Sequence, residues 1–134
     1  MLPLSLATVR LFLHVTAATV WVGGQLIFVG LLPALRAAGA DVPRLVAARY
    51  NRIAWPAFGI LLLTGIWNLV AEAEPYTGPY AGTLTVKLCA VGLTGVAAFV
   101  HTRVSGRAAR ATWGALAGLS ALVALLLGVV LGEH

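Results

Sequence analysis

Two histidines, a lysine and an arginine sit in stretches of this chain that are otherwise hydrocarbon: Arg10, His14, Lys87 and His101. An imidazole in such a setting has two uses. It bridges helices through a hydrogen bond, or it presents a lone pair to a metal. A lysine at position 87 either reaches toward headgroups along its aliphatic stem or meets a ligand. Arg10 has the same choice, snorkelling outward or meeting an anionic group such as a carboxylate near His14. His101, beside Thr102 and Arg103, reads as an interface residue and as a weaker metal candidate than His14 and Lys87.

Other chemistries lack their residues. No acid lies within an apolar stretch, which argues against a carboxylate proton relay or a cation antiporter. There is no Ser-His-Asp arrangement, phosphate-binding glycine loop, CxxC or HExxH. Copper(I) favours thiolate and thioether ligands. The only cysteine is Cys89 and the only methionine is Met1, so a copper(I) relay has few donors and no intrachain disulfide forms.

The elements that must hold these groups follow from composition. The chain is 60% hydrophobic and only 10% charged, with a mean hydropathy of +0.96. A soluble domain carries about 25% charged residues, so the apolar excess must face lipid. The expected fold is all-α: an integral membrane four-helix bundle forming one domain over 1–134. Its spans fall at approximately 5–35, 43–71, 83–104 and 109–132, the second helix beginning near Val42. Leu4 onward reads as a retained first span and not a signal peptide, because Met1 to Ser5 has no basic region. Gly39-Ala40-Asp41-Val42-Pro43 is a turn with Asp41 as candidate N-cap, Glu74-Pro75-Tyr76-Thr77-Gly78-Pro79-Tyr80 separates spans two and three, and Ser105-Gly106-Arg107 separates three and four.

Charge then sets orientation. Arg36, Arg44, Arg49, Arg52, Arg103, Arg107 and Arg110 flank the first and third connections, against Arg10 and Lys87 on the other side. Seven against two places the 36–52 and 103–110 regions in the cytoplasm by the positive-inside rule, with both termini outside and the plasma (inner) membrane as the site. The net charge of +5 is therefore topology, not a nucleic-acid surface. The expected partners are the lipid bilayer and, through the Gly114-x-x-x-Gly118 and Gly128-x-x-x-Gly132 spacings of span four, close helix contact or a homodimer or larger membrane complex.

Helical spacing assigns faces. Arg10, His14, Ala17, Ala18, Trp21, Gln25 and Phe28 share one stripe of span one, opposite Val9, Leu13, Val20 and Ile27. Polar groups turn inward because lipid cannot hydrogen-bond them, and Ala17 and Ala18 leave room for something flat or for close packing. Lys87, Val91, Thr94, Ala98 and His101 share a face of span three. His14 and Lys87 lie at similar depth near the outer side, so a ligand between spans one and three would touch both. His101 is about 21 Å further along span three, too far to share one small ligand with His14. Pro56 should kink span two near Arg52. Trp21, Trp55, Trp67 and Trp113 read mainly as packing or belt residues, and Cys89, on the face opposite Lys87, as inert.

At these residues the chain resembles a known group. Leu13-His14-Val15-Thr16-Ala17-Ala18-Thr19-Val20-Trp21-Val22-Gly23-Gly24, with Phe28 and Leu32-Pro33-Ala34-Leu35, resembles the first helix of copper-resistance protein D (CopD) type domains. Arg49-Tyr50-Asn51-Arg52-Ile53-Ala54-Trp55-Pro56-Ala57-Phe58-Gly59 with Leu63-Thr64-Gly65 resembles their second helix, and Leu84-Thr85-Val86-Lys87-Leu88 with His101 their third. The order of these residues is also similar to the HemJ-type protoporphyrinogen oxidases, although Pro33 is followed here by Ala34-Leu35 where that family has an arginine.

The resemblance implies a b-type haem or other porphyrin near the outer side, used for electron transfer or oxidation of a lipophilic substrate. By position, His14 is then the axial ligand. Lys87 is a second ligand or propionate partner, and Arg10 a further propionate partner. Ala17, Ala18 and Gly24 admit the ring, with Trp21 and Gln25 on the same face. The CopD name implies the alternative, copper handling or import, with His14 and His101 as staging ligands. A membrane oxidoreductase and a non-catalytic accessory subunit both remain open.

Overall fold

A computed structural model describes residues 3–72 and 76–134. Every regular element among them is helical, and four helices are long and apolar enough to cross a membrane. The first crossing is α1 (Leu6–Ala18), a π-helical turn (Thr19–Gly23) and α2 (Gly24–Ala38), which run on as one 33-residue rod. The others are α3 (Val42–Ala71), α4 (Gly78–Arg103) and α5 (Arg107–Gly132). Even the 26-residue helices α4 and α5 are about 39 Å long at 1.5 Å per residue, enough to pass the ~30 Å hydrocarbon layer. The chain forms two compact units, Met1–Ala73 and Glu74–His134, each a pair of helices.

Local chemistry sets the ends. Ser5 caps α1 by accepting from the Thr8 amide at 3.1 Å. Helix α3 begins at Val42 as expected, but Asp41 makes no side-chain cap. Its backbone is helical (φ −91°, ψ −12°) where a capping residue is extended, and its carboxylate lies 3.5 Å from Arg44 in an exposed ion pair. Helix α4 starts at Gly78, five residues before the expected 83, because Pro79 stands in the first turn, where no amide hydrogen is needed. Within the break expected before α4, Glu74 and Pro75 lie outside the described residues, as does Met1. Gly106 makes the short turn into α5 at φ +96°, a conformation side chains disfavour. Helix α3 runs through Pro56 without interruption.

In the first unit the rod and α3 are antiparallel, with Arg10 meeting Glu72, His14 meeting Thr64, Trp21 meeting Phe58 and Phe28 meeting Tyr50. In the second, Lys87 lies beside Gly128, Thr94 bonds Ala117 and His101 bonds Arg110. Small residues line both contacts: Ala17, Ala54 and Ala57 in the first, Ala90, Ala97, Ala117 and Ala121 in the second, all buried. Leucine and valine point outward instead, with Leu13, Ile27, Leu63, Leu88 and Leu126 exposed. This inversion of a soluble fold is what lipid permits: the bilayer already solvates large apolar chains, so close backbone approach and hydrogen bonds hold the helices.

Candidate functional site

Arg10, Ala17 and Trp21 are buried, and His14, Ala18, Gln25 and Phe28 are half-buried, so the expected stripe is the inner face of the rod. Val9, Leu13 and Ile27 are exposed, as expected, but Val20 is half-buried. The π-helical turn at 19–23 is the reason. It inserts extra arc into the helix and rotates this segment inward, so that neighbours Trp21 and Val22 are both buried. The Trp21 carbonyl is served by side chains, at 3.0 Å from Gln25 Nε2 and 3.4 Å from Tyr50 Oη. Gly24, expected to admit a ligand ring, makes room for Tyr50 instead. A Cβ there would stand 2.6 Å from Tyr50 Cε2.

His14 Nδ1 is 2.9 Å from Thr64 Oγ1. The hydroxyl lies 2.7 Å from the Ile60 carbonyl oxygen. Two oxygens that close need a hydrogen between them, and only Thr64 has one to give. Its oxygen must therefore accept from His14 Nδ1–H. That fixes the neutral imidazole as the Nδ1–H tautomer, with the lone pair on Nε2. Metal-binding histidines are prepared in the same way, the non-ligating nitrogen donating to a neighbouring oxygen. Gly65 lies beneath the ring, where a Cβ would be 3.5 Å from His14 Cε1. About two turns further in, Trp21 packs on Phe58 at 4.4 Å and edge-on to Trp55 at 5.4 Å between centroids.

One turn outward from His14, Arg10 is 8% exposed. Its Nη2 is 3.5 Å from Glu72 Oε1, a long contact to a half-exposed carboxylate. Arg10 therefore does not snorkel; it meets an anionic group, as the second sequence reading allowed. Thr64, Asn68 and Glu72 were not anticipated as site residues. They recur every four residues along α3, and the periodicity applied to span one would have found them.

Lys87 and His101 belong to the other unit. Lys87 is half-buried, its ammonium in the space a side chain at 128 would fill, 3.3 Å from that Cβ position. His101 Nδ1 donates to the Arg110 carbonyl at 2.7 Å, and its ring lies 3.0 Å from a Cβ at Gly114. Thr94 donates to the Ala117 carbonyl at 2.7 Å. Gly114 and Gly128 therefore accommodate side chains from α4 within the same unit. Cys89 is exposed among lipid-facing residues.

A haem iron brings four nitrogen donors and asks the protein for one or two axial ligands, which a fixed imidazole such as His14 suits. A bare ion asks for more, and no group of three or more His, Cys, Asp or Glu gathers among the described residues.

A family model described as copper resistance protein D matches residues 44–132, which include Thr64, Asn68, Glu72, Lys87 and His101 and begin after His14. No curated protein and no solved structure matches.

Proposed function

The chain belongs to the copper resistance protein D family, and from that membership we propose that it handles a transition metal within the membrane, with His14 Nε2 as the donor. It is an integral membrane protein of a family whose description ties it to copper resistance. The observation that carries the proposal is the Thr64 hydrogen bond, which sets the tautomer and orientation of a half-buried imidazole.

The first reading is haem b, which would supply one-electron chemistry for electron transfer or oxidation of a lipophilic substrate. His14 would then hold the group through Nε2, and Arg10, one turn away on the same face of the rod, would meet its carboxylate edge. Thr64 holds the ring in its rotamer. Trp21, with Phe58 and Trp55 behind it, gives the site an apolar wall that excludes water.

The second reading is a copper ion as cargo, favoured by the family description. His101 supports it, since its bond to the Arg110 carbonyl leaves Nε2 as the lone-pair nitrogen there too. In that reading His14 and His101, each in its own unit, would act as separate donors.

Absorption spectra and metal analysis of the purified full chain separate the two. Haem gives a Soret band that His14→Ala removes. Copper gives stoichiometric metal without that band, lost in the same variant. A protein that takes up neither, with or without added haem or copper, ends the proposal and leaves an accessory role in a larger complex.

A further inference from the structure

We propose that Arg10 and Asn68 form a binding site for the carboxyl group of a membrane-soluble ligand. Two buried polar atoms of the first unit have no hydrogen-bond partner among the described residues, Arg10 Nε and Asn68 Oδ1. One is a donor on a charged group and the other an acceptor. The pairing of the helices puts them in one layer. Arg10 meets Glu72, and His14, one turn along, meets Thr64. Asn68 lies on α3 midway between Thr64 and Glu72, at four-residue steps that keep all three on one face. Its level is therefore that of Arg10 and His14.

Donor and acceptor are not bonded to one another, and a group that offers both roles from a single carbon would complete the layer once the side chains part to admit it. A carboxyl group does this. Its carbonyl oxygen accepts from Arg10 Nε–H, and its hydroxyl donates to Asn68 Oδ1. The charge of Arg10 is already opposed by Glu72, whose carboxylate is 50% exposed and 3.5 Å from Nη2. The acid form therefore fits without burying a second net charge. Val9 and Leu13 flank Arg10 on the rod and are exposed to the acyl region, where the apolar body of such a ligand would lie.

Two sources offer this chemistry: a free fatty acid, and the propionate edge of a porphyrin. The site does not depend on His14 holding a metal.

Equilibrium binding to the full chain in phosphatidylcholine nanodiscs tests it, with two matched pairs of probes: palmitic acid against methyl palmitate, and haem against its dimethyl ester. Esters lack the donating hydroxyl. The wild-type protein is expected to hold the acid about tenfold more tightly than the ester in one of the pairs, the effect of about 1.4 kcal/mol. The pair that shows it identifies the source. Asn68→Leu is expected to abolish the preference. Asn68→Asp is expected to do the same while keeping the volume and polarity of the site, because the new carboxylate occupies Arg10 itself. It serves if the leucine variant does not fold, as judged by helical circular dichroism. His14→Ala should leave the acid preference intact while removing iron ligation, so the two ideas fail separately. The proposal is overturned if neither pair shows an acid preference, as with a bridging water, or if the preference survives in both Asn68 variants.

Discussion

A single hydroxyl, that of Thr64, sets the tautomer of the imidazole on which the proposed metal chemistry of the first unit depends. Thr64→Val keeps the shape and removes the acceptor of His14 Nδ1–H. Second-shell partners of this kind are worth about 10 to 100-fold in metal affinity, and a membrane hydrogen bond about 0.6–2 kcal/mol. Haem or copper affinity is therefore expected to fall by about one order of magnitude or more in Thr64→Val and to recover in Thr64→Ser, with little change in helical content. A titration that gives wild-type affinity for the valine variant removes Thr64 from the site. His14 stands out in the sequence as a candidate, because an ionisable group in an apolar stretch either bridges helices or serves a ligand. Thr64 as its partner was not, since a threonine among leucines is unremarkable until the pairing of the helices is known. Arg10 carried two sequence readings, and only the return of the chain to Glu72, 62 positions later, chose between them.

At the scale of elements, glycine positions were visible in the sequence and their use was not. The Gly-x-x-x-Gly spacing predicted close helix contact, which requires only that no side chain intrude. It does not say what fills the space. At Gly114 the occupant is the His101 ring, and at Gly24 it is the Tyr50 ring. Both make testable pairs. Gly114→Ala places a methyl 3.0 Å from His101 Cε1 and Nδ1, so the ring must move and its 2.7 Å bond to the Arg110 carbonyl weakens. A loss of about 1–3 kcal/mol in unfolding from detergent is expected. In a His101→Ala background the same change should cost much less, because the clash is gone. Equal costs in the two backgrounds would show that Gly114 does not seat His101. Gly24→Ala is the more severe case, with a Cβ 2.6 Å from Tyr50 Cε2. Its cost should likewise shrink in Tyr50→Ala, where the ring that caps the π-turn carbonyl is already missing. The π-helical turn had no sequence signal under a uniform 3.6-residue period, and this is why Val20 was placed on the lipid face. The four spans were legible because length, apolar content and arginine placement all pointed to the same boundaries.

For the whole molecule the open quantity is the direction in which it crosses the bilayer, and this decides which side supplies the ligand. His14 lies eight residues into a helix that begins at Leu6, about 12 Å from that end. Arg36, Arg44, Arg49 and Arg52 lie toward the 39–41 turn of one unit, and Arg103, Arg107 and Arg110 toward the 104–106 turn of the other. Carrying an arginine across the hydrocarbon is expensive, so by the positive-inside rule both turns are expected in the cytoplasm. On that expectation the His14 end of the rod faces outward, and a metal or a carboxylated ligand would enter from outside. Single cysteines test this in a Cys89→Ala background, where the substitution removes only an exposed, lipid-facing thiol. With a membrane-impermeant maleimide on intact cells, Thr77→Cys should label at once. Ala40→Cys and Ser105→Cys should label only after permeabilisation. The opposite pattern reverses the orientation and makes the His14 end a cytoplasmic site, which would suit export of a metal and not its import. A split result, with positions 40 and 105 on opposite sides, requires an odd number of crossings between them. It would mean that α3 or α4 fails to span, and the reading of the chain as four transmembrane helices would fall with it.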